Sequence, residues 1–419
     1  MLPARSLRAM TSIEERALYY DPYDYEVDAN AHAVWKRLRD EAPLYWNDKY
    51  GFFALSRFDD VLPAMLDTDT FSSAHMTVLE MMTPDKNSGG MMIFMDPPEH
   101  THLRKLVSRA FTPRAINGLG DRVRRLCGWY LDQFVGSGGF DFVDDFAALI
   151  PPSVILALLG FPEESADEWR HGIDAMFHLD EGDEGMLPRP GSPEEIYESR
   201  QMTGTSLFEM LPGMIEERRR DAKDDLISVL VHSDLEDDDG TTRKLNDGEI
   251  FAFVTLLSIA GTETVARLLS WSAVLLARNP DQRKILVDDS TVIPNGIEEM
   301  LRYEAPSPVN ARWVTRDLAY YGQVVPKDSK MILLNGSADR DERHFEHPDV
   351  FDVRRKIDRH VAFGYGTHFC VGAALARLES RIAIEETLKR FPTWDIDDTE
   401  LEWVHTSTVR GFAKVPVHF

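Results

Sequence analysis

Cys370 is the residue with the most chemistry within reach. It lies in the run Phe363-Gly364-Tyr365-Gly366-Thr367-His368-Phe369-Cys370-Val371-Gly372, and the residues that follow (Ala373, Ala374, Leu375, Ala376, Arg377, Leu378) read as the start of a helix. A cysteine at a helix N-terminus meets unpaired backbone N–H groups and the positive end of the helix dipole, and both favour thiolate over thiol. Gly364, Gly366 and Gly372 let the backbone come close to whatever the sulfur binds. Such a thiolate could be a nucleophile, a redox thiol or a metal ligand. The only other cysteine, Cys127, sits in the pattern Val123, Leu126, Cys127, Tyr130, Leu131, which reads as core packing. A disulfide couple or a multi-cysteine zinc or iron–sulfur site therefore does not fit. One protein thiolate on a metal suggests a metal held mainly by something else, such as a porphyrin.

Three further segments carry residue types that need a reason. Ala260-Gly261-Thr262-Glu263-Thr264 places glycine, threonine and an acid inside an apolar helical stretch, where each is unfavourable. Such a local conflict marks either a functional site or a kink with a threonine bonded to its own backbone. Glu299 and Arg302 stand three apart on one helical face, followed downstream by Pro348-Asp349-Val350-Phe351-Asp352-Val353-Arg354. Asp96-Pro97-Pro98-Glu99-His100-Thr101-His102-Leu103-Arg104 sets His100 and Arg104 four apart, again on one face.

The run from Phe363 to Gly372 resembles the heme-binding loop of the cytochrome P450 family, Phe-Gly-x-Gly-x-His-x-Cys-x-Gly, and meets every fixed position. The other segments resemble the family's remaining motifs, so the resemblance spans nearly the whole chain from about Tyr20. It implies heme b with Cys370 as axial thiolate and iron ligand, in a loop whose Phe363, Gly364 and Gly372 border the cofactor. It implies that Gly261 opens a helix above the iron for O2. Thr264 would hold the reacting oxygen and a water by hydrogen bonds, and Glu263 would relay protons inward; an alcohol backed by a carboxylate suits proton delivery to one oxygen. Glu299, Arg302 and Arg354 would form a buried structural network beneath the heme. His100, Arg104, Arg312 (in Ala311-Arg312-Trp313-Val314) and His368 would meet the propionates, whereas His102 reads as surface and His360 as structural. Substrate-facing candidates by resemblance are Val254, Leu257, Val309, Asn310, Val409 and Phe412. The methionines Met76, Met81, Met82, Met91, Met92 and Met95 line the pocket or fill an ordinary core.

The bulk numbers agree with such an enzyme. The chain has 419 residues, 43% of them hydrophobic, and carries 46 Lys and Arg against 71 Asp and Glu, a net charge of −25. So acidic a chain is repelled by nucleic acid and anionic membranes. Two cysteines exclude a disulfide framework and suit a reducing, cytoplasmic compartment. Residues 1–20 read as an N-terminal extension without the apolar stretch of a signal, and no run approaches the ~20 residues of a membrane span. The chain looks like the soluble bacterial type of the family.

Helical patterns dominate, with a hairpin over Pro43 to Leu55 and short strands at Lys330 to Leu334 and near the C-terminus. Residues His102 to Phe111, Leu119 to Phe134 and Ala166 to Phe177 read as amphipathic helices, and Asp180 to Pro193 as a loop or lid. Asn246 and Glu249 form a capping pair that starts a helix running to about Asn279, on the order of 50 Å long at 1.5 Å per residue. The expected fold is mainly α with a minor β region, a single cytochrome P450 domain over residues 21–419.

The expected function is insertion of one atom of O2 into an apolar lipid, terpenoid, steroid or polyketide-like substrate. No flavin, nicotinamide or iron–sulfur motif occurs, so electrons from NAD(P)H must arrive through separate proteins, a ferredoxin and its reductase. Lys105, Arg109, Arg114, Arg122, Arg124, Arg125, Arg377 and Arg381 concentrate positive charge near the cysteine side, which favours an acidic ferredoxin. The alternatives are a peroxide-driven heme enzyme or a heme-binding sensor of the same fold.

Overall fold

A computed structural model describes residues 17–108, 111–162, 165–166, 169–170, 206–236 and 240–419. The amphipathic stretch Ala166 to Phe177 falls mostly, and the loop 180–193 entirely, outside the described residues, as does Arg109.

The architecture grows around one helix, Asp247–Arg278, of 32 residues. It begins where the sequence places it. The Asn246 side chain accepts the Glu249 N–H while the Glu249 carboxylate accepts the Asn246 N–H, a reciprocal capping box. It ends at Asn279, whose N–H reaches the Leu275 carbonyl ahead of Pro280. This helix is long and apolar enough to cross a membrane, but its apolar residues are buried inside the fold, including Val265, Leu268, Leu269, Trp271 and Val274. The apolar run is therefore longer than the sequence suggests, because Glu263 and Arg267, which interrupt it, are paired and buried.

The cysteine helix, Ala373–Arg390, packs on Gly120–Asp132 and on the central helix, and Ile150–Leu159 lies along the central helix on another side. Their shared core takes in Val123, Cys127, Leu131, Val154, Leu269, Leu378 and Ile382. The Cys127 thiol is held well above its usual range by burial, an inert core cysteine as expected.

The β region is a five-stranded sheet ordered Leu44–Asn47, Phe52–Leu55, Lys330–Leu334, Val309–Val314, Phe71–Ser72. The first two strands form the predicted hairpin, Leu44 opposite Leu55. Its neighbour Lys330–Leu334 runs parallel to the second strand and antiparallel to Val309–Val314, with Met331 opposite Arg312. This pairing fixes Arg312 from the sheet side. The C-terminal strands Phe412–Lys414 and Pro416–His418 belong to two further small sheets. The fold is mainly α with a minor β part, as the sequence implies.

Candidate active site

Between the central helix and the cysteine loop lies a cavity of about 260 Å3. Its roof carries Leu256, Leu257, Ala260, Gly261, Thr264, Val265 and Leu268 of the central helix. Its floor carries Phe363, Gly364, Cys370, Gly372, Leu375 and Ala376. His100, Arg104, Arg312 and His368 close one side.

The loop reaches the floor because two of its glycines take left-handed conformations, Gly364 at φ 67° and Gly366 at φ 69°. A side chain at Gly366 would also meet Leu66, its Cβ falling 2.9 Å from Leu66 Cδ2. The Cys370 N–H donates to the Phe363 carbonyl at 2.9 Å, folding the loop back on itself. The sulfur is enclosed by protein and open to the cavity. Burial raises its pKa, opposed by the N–H groups of Gly372 and Ala373 and by the guanidinium groups of Arg104 and Arg377. Those are the groups that would stabilise a thiolate presented to a cationic metal.

The cations on the side wall lack anions. Arg312 is buried, and its guanidinium donates to the Ala311 carbonyl at 2.7 Å but pairs with no carboxylate among the described residues; burial lowers it to about 10. Burial lowers Arg104 as well, and no described carboxylate pairs with it. The rings of His100 and His368 lie 4.2 Å apart, with His100 Nδ1 and His368 Nε2 both buried and without a hydrogen-bond partner among the described residues. Burial first, then neighbouring arginines, lower His100 to about 4 and His368 to about 2. Two arginines and two orphaned imidazole nitrogens around one cavity wall suit an anionic group with two carboxylates. The cavity lining beside them that faces the sulfur is largely apolar, so the residues present fit a heme.

The buried network beneath the floor differs from the sequence expectation by one residue. Arg302 Nε and Nη2 grip Glu299 at 2.7 and 2.8 Å, both side chains fully buried. The third member is Arg355, not Arg354. Arg355 Nε lies 3.1 Å from Glu299 Oε1, and its other nitrogens bind the carbonyls of Glu346, His347 and Val350. Arg354 is exposed. The chain turns at Asp352, whose carboxylate accepts the Arg354 N–H, and this turn carries the adjacent residue inward.

In the roof, the helix is continuous through Gly261 rather than opened there. A Cβ on Gly261 would fall 2.6 Å from Ile155 Cδ1, so the glycine lets Ile150–Leu159 approach. Thr264 faces the cavity, and its hydroxyl donates back to the Ala260 carbonyl at 2.8 Å. Glu263 points away from the cavity. Its Oε1 accepts from Arg267 Nε and Nη2 at 2.9 and 2.7 Å, and Arg267 continues to the Phe412 carbonyl. The sequence brings Glu263 and Thr264 together on one turn, but the helix sends the two side chains to different places.

Of the substrate-facing candidates, Leu257 and Asn310 line the cavity, together with Met92 and Ile93. Val254, Val409 and Phe412 are buried in the core, Val309 packs on a second cluster under the sheet, and Met76 and Met82 belong to that cluster. Glu379 was not anticipated. It lines the cavity on the cysteine helix, burial raises its pKa well above the ordinary value, and its Oε2 has no partner among the described residues. Only its placement four residues from Leu375 on the cavity-facing side marks it in the sequence. Among the described residues no group of three His, Cys, Asp or Glu comes together as a metal site, which leaves the lone thiolate as the candidate ligand.

The Cytochrome P450 family profile matches residues 41–416. The chain belongs to the cytochrome P450 family. It is 38% identical over 403 residues to putative cytochrome P450 123 of Mycobacterium tuberculosis, covering 96% of both chains. It is similar to CYP109E1 of Bacillus megaterium in complex with corticosterone, with a TM-score of 0.81 and 29% identity over 94% of this chain and 99% of that one. It is similar also to P450BioI in complex with an acyl carrier protein ligated to hexadec-9Z-enoic acid, with a TM-score of 0.81 and 28% identity over 94% and 100%. The P450 assignment makes it a monooxygenase oxidoreductase, and the family implies heme with an axial cysteine thiolate.

Proposed function

We propose that this P450 places one oxygen atom from O2 into an apolar, lipid- or steroid-like substrate, with Cys370 as the axial ligand of heme b. The observation that carries the reading is the cavity itself: a sulfur with two N–H donors on the floor, arginines without a carboxylate and one free nitrogen on each histidine among the described residues on one side, and an apolar roof. His100, Arg104, Arg312 and His368 would hold the propionates. When bound, the heme supplies the iron at which dioxygen is activated.

The chain's own residues do the rest. Leu256, Leu257, Met92 and Ile93 exclude water and hold the substrate, and Asn310 and Ser307 are the polar groups on that wall. Thr264 presents a hydroxyl into the cavity, where rotating off Ala260 would let it donate to the reacting oxygen. Glu263 would reach a proton path only by leaving Arg267, so its first role is to hold the helix to the C-terminal hairpin. The corticosterone and fatty-acyl complexes of the two similar structures support a lipid-like substrate.

Electrons would come from a small acidic ferredoxin and its reductase. Lys105, Arg114 and Arg125 are exposed. Arg124, Arg377 and Arg381 are drawn into pairs with Glu386, Glu298 and Glu385, which weakens their share of any steering field. A cytoplasmic location accords with that partner. The test is the reduced protein with carbon monoxide, which should show the red-shifted Soret band of a thiolate heme and lose it in Cys370→Ser. Turnover with a surrogate ferredoxin and reductase then separates a monooxygenase from a peroxide-driven enzyme or a sensor.

A further inference from the structure

Arg377 stands one and a half to two turns after Cys370, on the helix that begins beneath the sulfur. With Arg104 it is one of two guanidinium groups acting electrostatically on Cys370. Arg104 has no carboxylate partner among the described residues, but Arg377 has one. Its Nε and Nη2 grip Glu298 Oε1 and Oε2 at 2.6 and 2.8 Å, a two-pronged pair. Glu298 belongs to Ile293–Tyr303, the helix that also carries Glu299, but it pairs with Arg377 where Glu299 pairs with Arg302 and Arg355. Its second partner is His360. His360 Nδ1 accepts the Ala362 N–H at 3.2 Å, so Nε2 is the donor to Glu298 Oε2 at 3.0 Å. The Arg377 guanidinium also lies 4.6 Å over the ring of Phe363, the residue whose carbonyl holds the Cys370 N–H. One carboxylate thus joins the residues just before the cysteine loop to the helix just after it.

We infer that Glu298 is a positioning residue for the cysteine. Through Arg377 and His360 it brackets both ends of the loop, and its negative charge offsets the Arg377 cation beside the sulfur. The inference rests on Cys370 being the axial ligand. A bare cation at Arg377 would draw electron density from the thiolate and favour the reduced iron. A bare carboxylate at Glu298 would do the opposite. The paired charges leave the potential set mainly by the N–H donors and Arg104.

The test uses the full heme-loaded chain and a spectroelectrochemical titration of wild type, Glu298→Gln, Arg377→Gln and Arg377→Lys. At fixed ambient potential, Glu298→Gln should raise the reduced-to-oxidised ratio on the order of tenfold, about 59 mV for a one-electron couple. Arg377→Gln should lower the ratio similarly, and Arg377→Lys should restore it. The opposite signs are the signature of charge compensation. Shifts of one sign in both glutamine variants, or none in either, would overturn the inference and leave a purely mechanical brace. If Glu298→Gln fails to retain heme, Arg377→Gln alone decides by the direction of its shift. Absence of the thiolate band with carbon monoxide in the wild type is a separate outcome, which removes the axial-ligand reading itself.

Discussion

Glu263→Gln separates a structural carboxylate from a proton relay, and the structure sets the size of the effect. Arg267 and Glu263 are both about 2% exposed, and the two contacts between them end on the same oxygen, at 2.9 and 2.7 Å. A glutamine amide oxygen in that place keeps both hydrogen bonds and loses the charge. The buried Arg267 guanidinium keeps its donors satisfied but loses its counter-charge, so the substitution should cost less than the ~3–5 kcal/mol of removing a partner from a buried pair, about 2–3 kcal/mol. Glu263→Ala leaves Arg267 buried with only the Phe412 carbonyl and should cost about 3–5 kcal/mol. For a chain of 419 residues the unfolding entropy near Tm is about 0.9 kcal/mol per degree, so the expected losses are about 2–3 °C and about 3–6 °C. Adding Arg267→Met to Glu263→Ala should recover most of the loss, because the uncompensated cation goes with it. The assay is thermal unfolding of the heme-loaded protein, with peroxide release measured on the same samples. If both single variants keep the wild-type Tm while peroxide release rises, the ion pair is incidental and Glu263 acts on protons.

Thr264→Ala should keep heme and substrate binding while more O2 is lost as peroxide; equal product per O2 in variant and wild type would remove the hydroxyl from oxygen handling. Arg355→Gln should weaken the grip on Glu299 and lower heme retention, whereas Arg354→Gln, on an exposed side chain, should change stability by no more than about 0.5 kcal/mol in a urea titration. Gly261→Ala should cost about 1–3 kcal/mol by pushing on Ile155, and Ile155→Val should relieve part of it in the same unfolding assay. Asp339 gives a pH test. Burial raises its carboxyl to about 7 from 3.8, so its contribution is full below about pH 3.8 and is lost as pH rises through about 7. Asp339→Asn, which keeps the acceptor for the Val361 N–H at 2.7 Å, should gain on wild type between pH 5 and 8, by on the order of 4 kcal/mol at most. Parallel stability curves for the two proteins would refute it.

The parts of the fold that local chemistry dictates were legible in the sequence. The capping box at Asn246 and Glu249, the hairpin from Leu44 to Leu55 and the glycine loop before Cys370 each depend on a few neighbouring residues, and each forms where the sequence places it. The propionate candidates His100, Arg104, Arg312 and His368 also converge, although three separate segments bring them. What failed depends on long-range geometry. Arg354 and Arg355 differ by one position, and only the turn at Asp352 decides which one points inward. Val254, Val409 and Phe412 are as apolar as Leu257, but helix rotation and hairpin placement bury them away from the cavity. Glu298 and Glu379 look like ordinary helix-surface acids until the neighbouring helices are packed on them.

The same distinction bears on electron delivery. Counted from sequence, the cations after the Asp96 segment and beyond Cys370 form one basic face. In the fold they divide in two. Arg124, Arg377 and Arg390 tie helices together through Glu385 and Glu386, Glu298 and Asp132, and Arg381 lies 3.9 Å from Glu385 on its own helix, so the charge of all four is offset at short range. Lys105, Arg114 and Arg125 remain exposed on a chain of net charge −25. A partner steered by field therefore meets a small set of cations, and screening on the ~10 Å scale at 0.1 M salt should remove most of the attraction. The ionic-strength dependence of first electron transfer should accordingly respond to charge reversal at Lys105 and Arg114 and hardly at all to reversal at Arg381. A salt-independent rate, untouched by the first pair, would place the donor on another face.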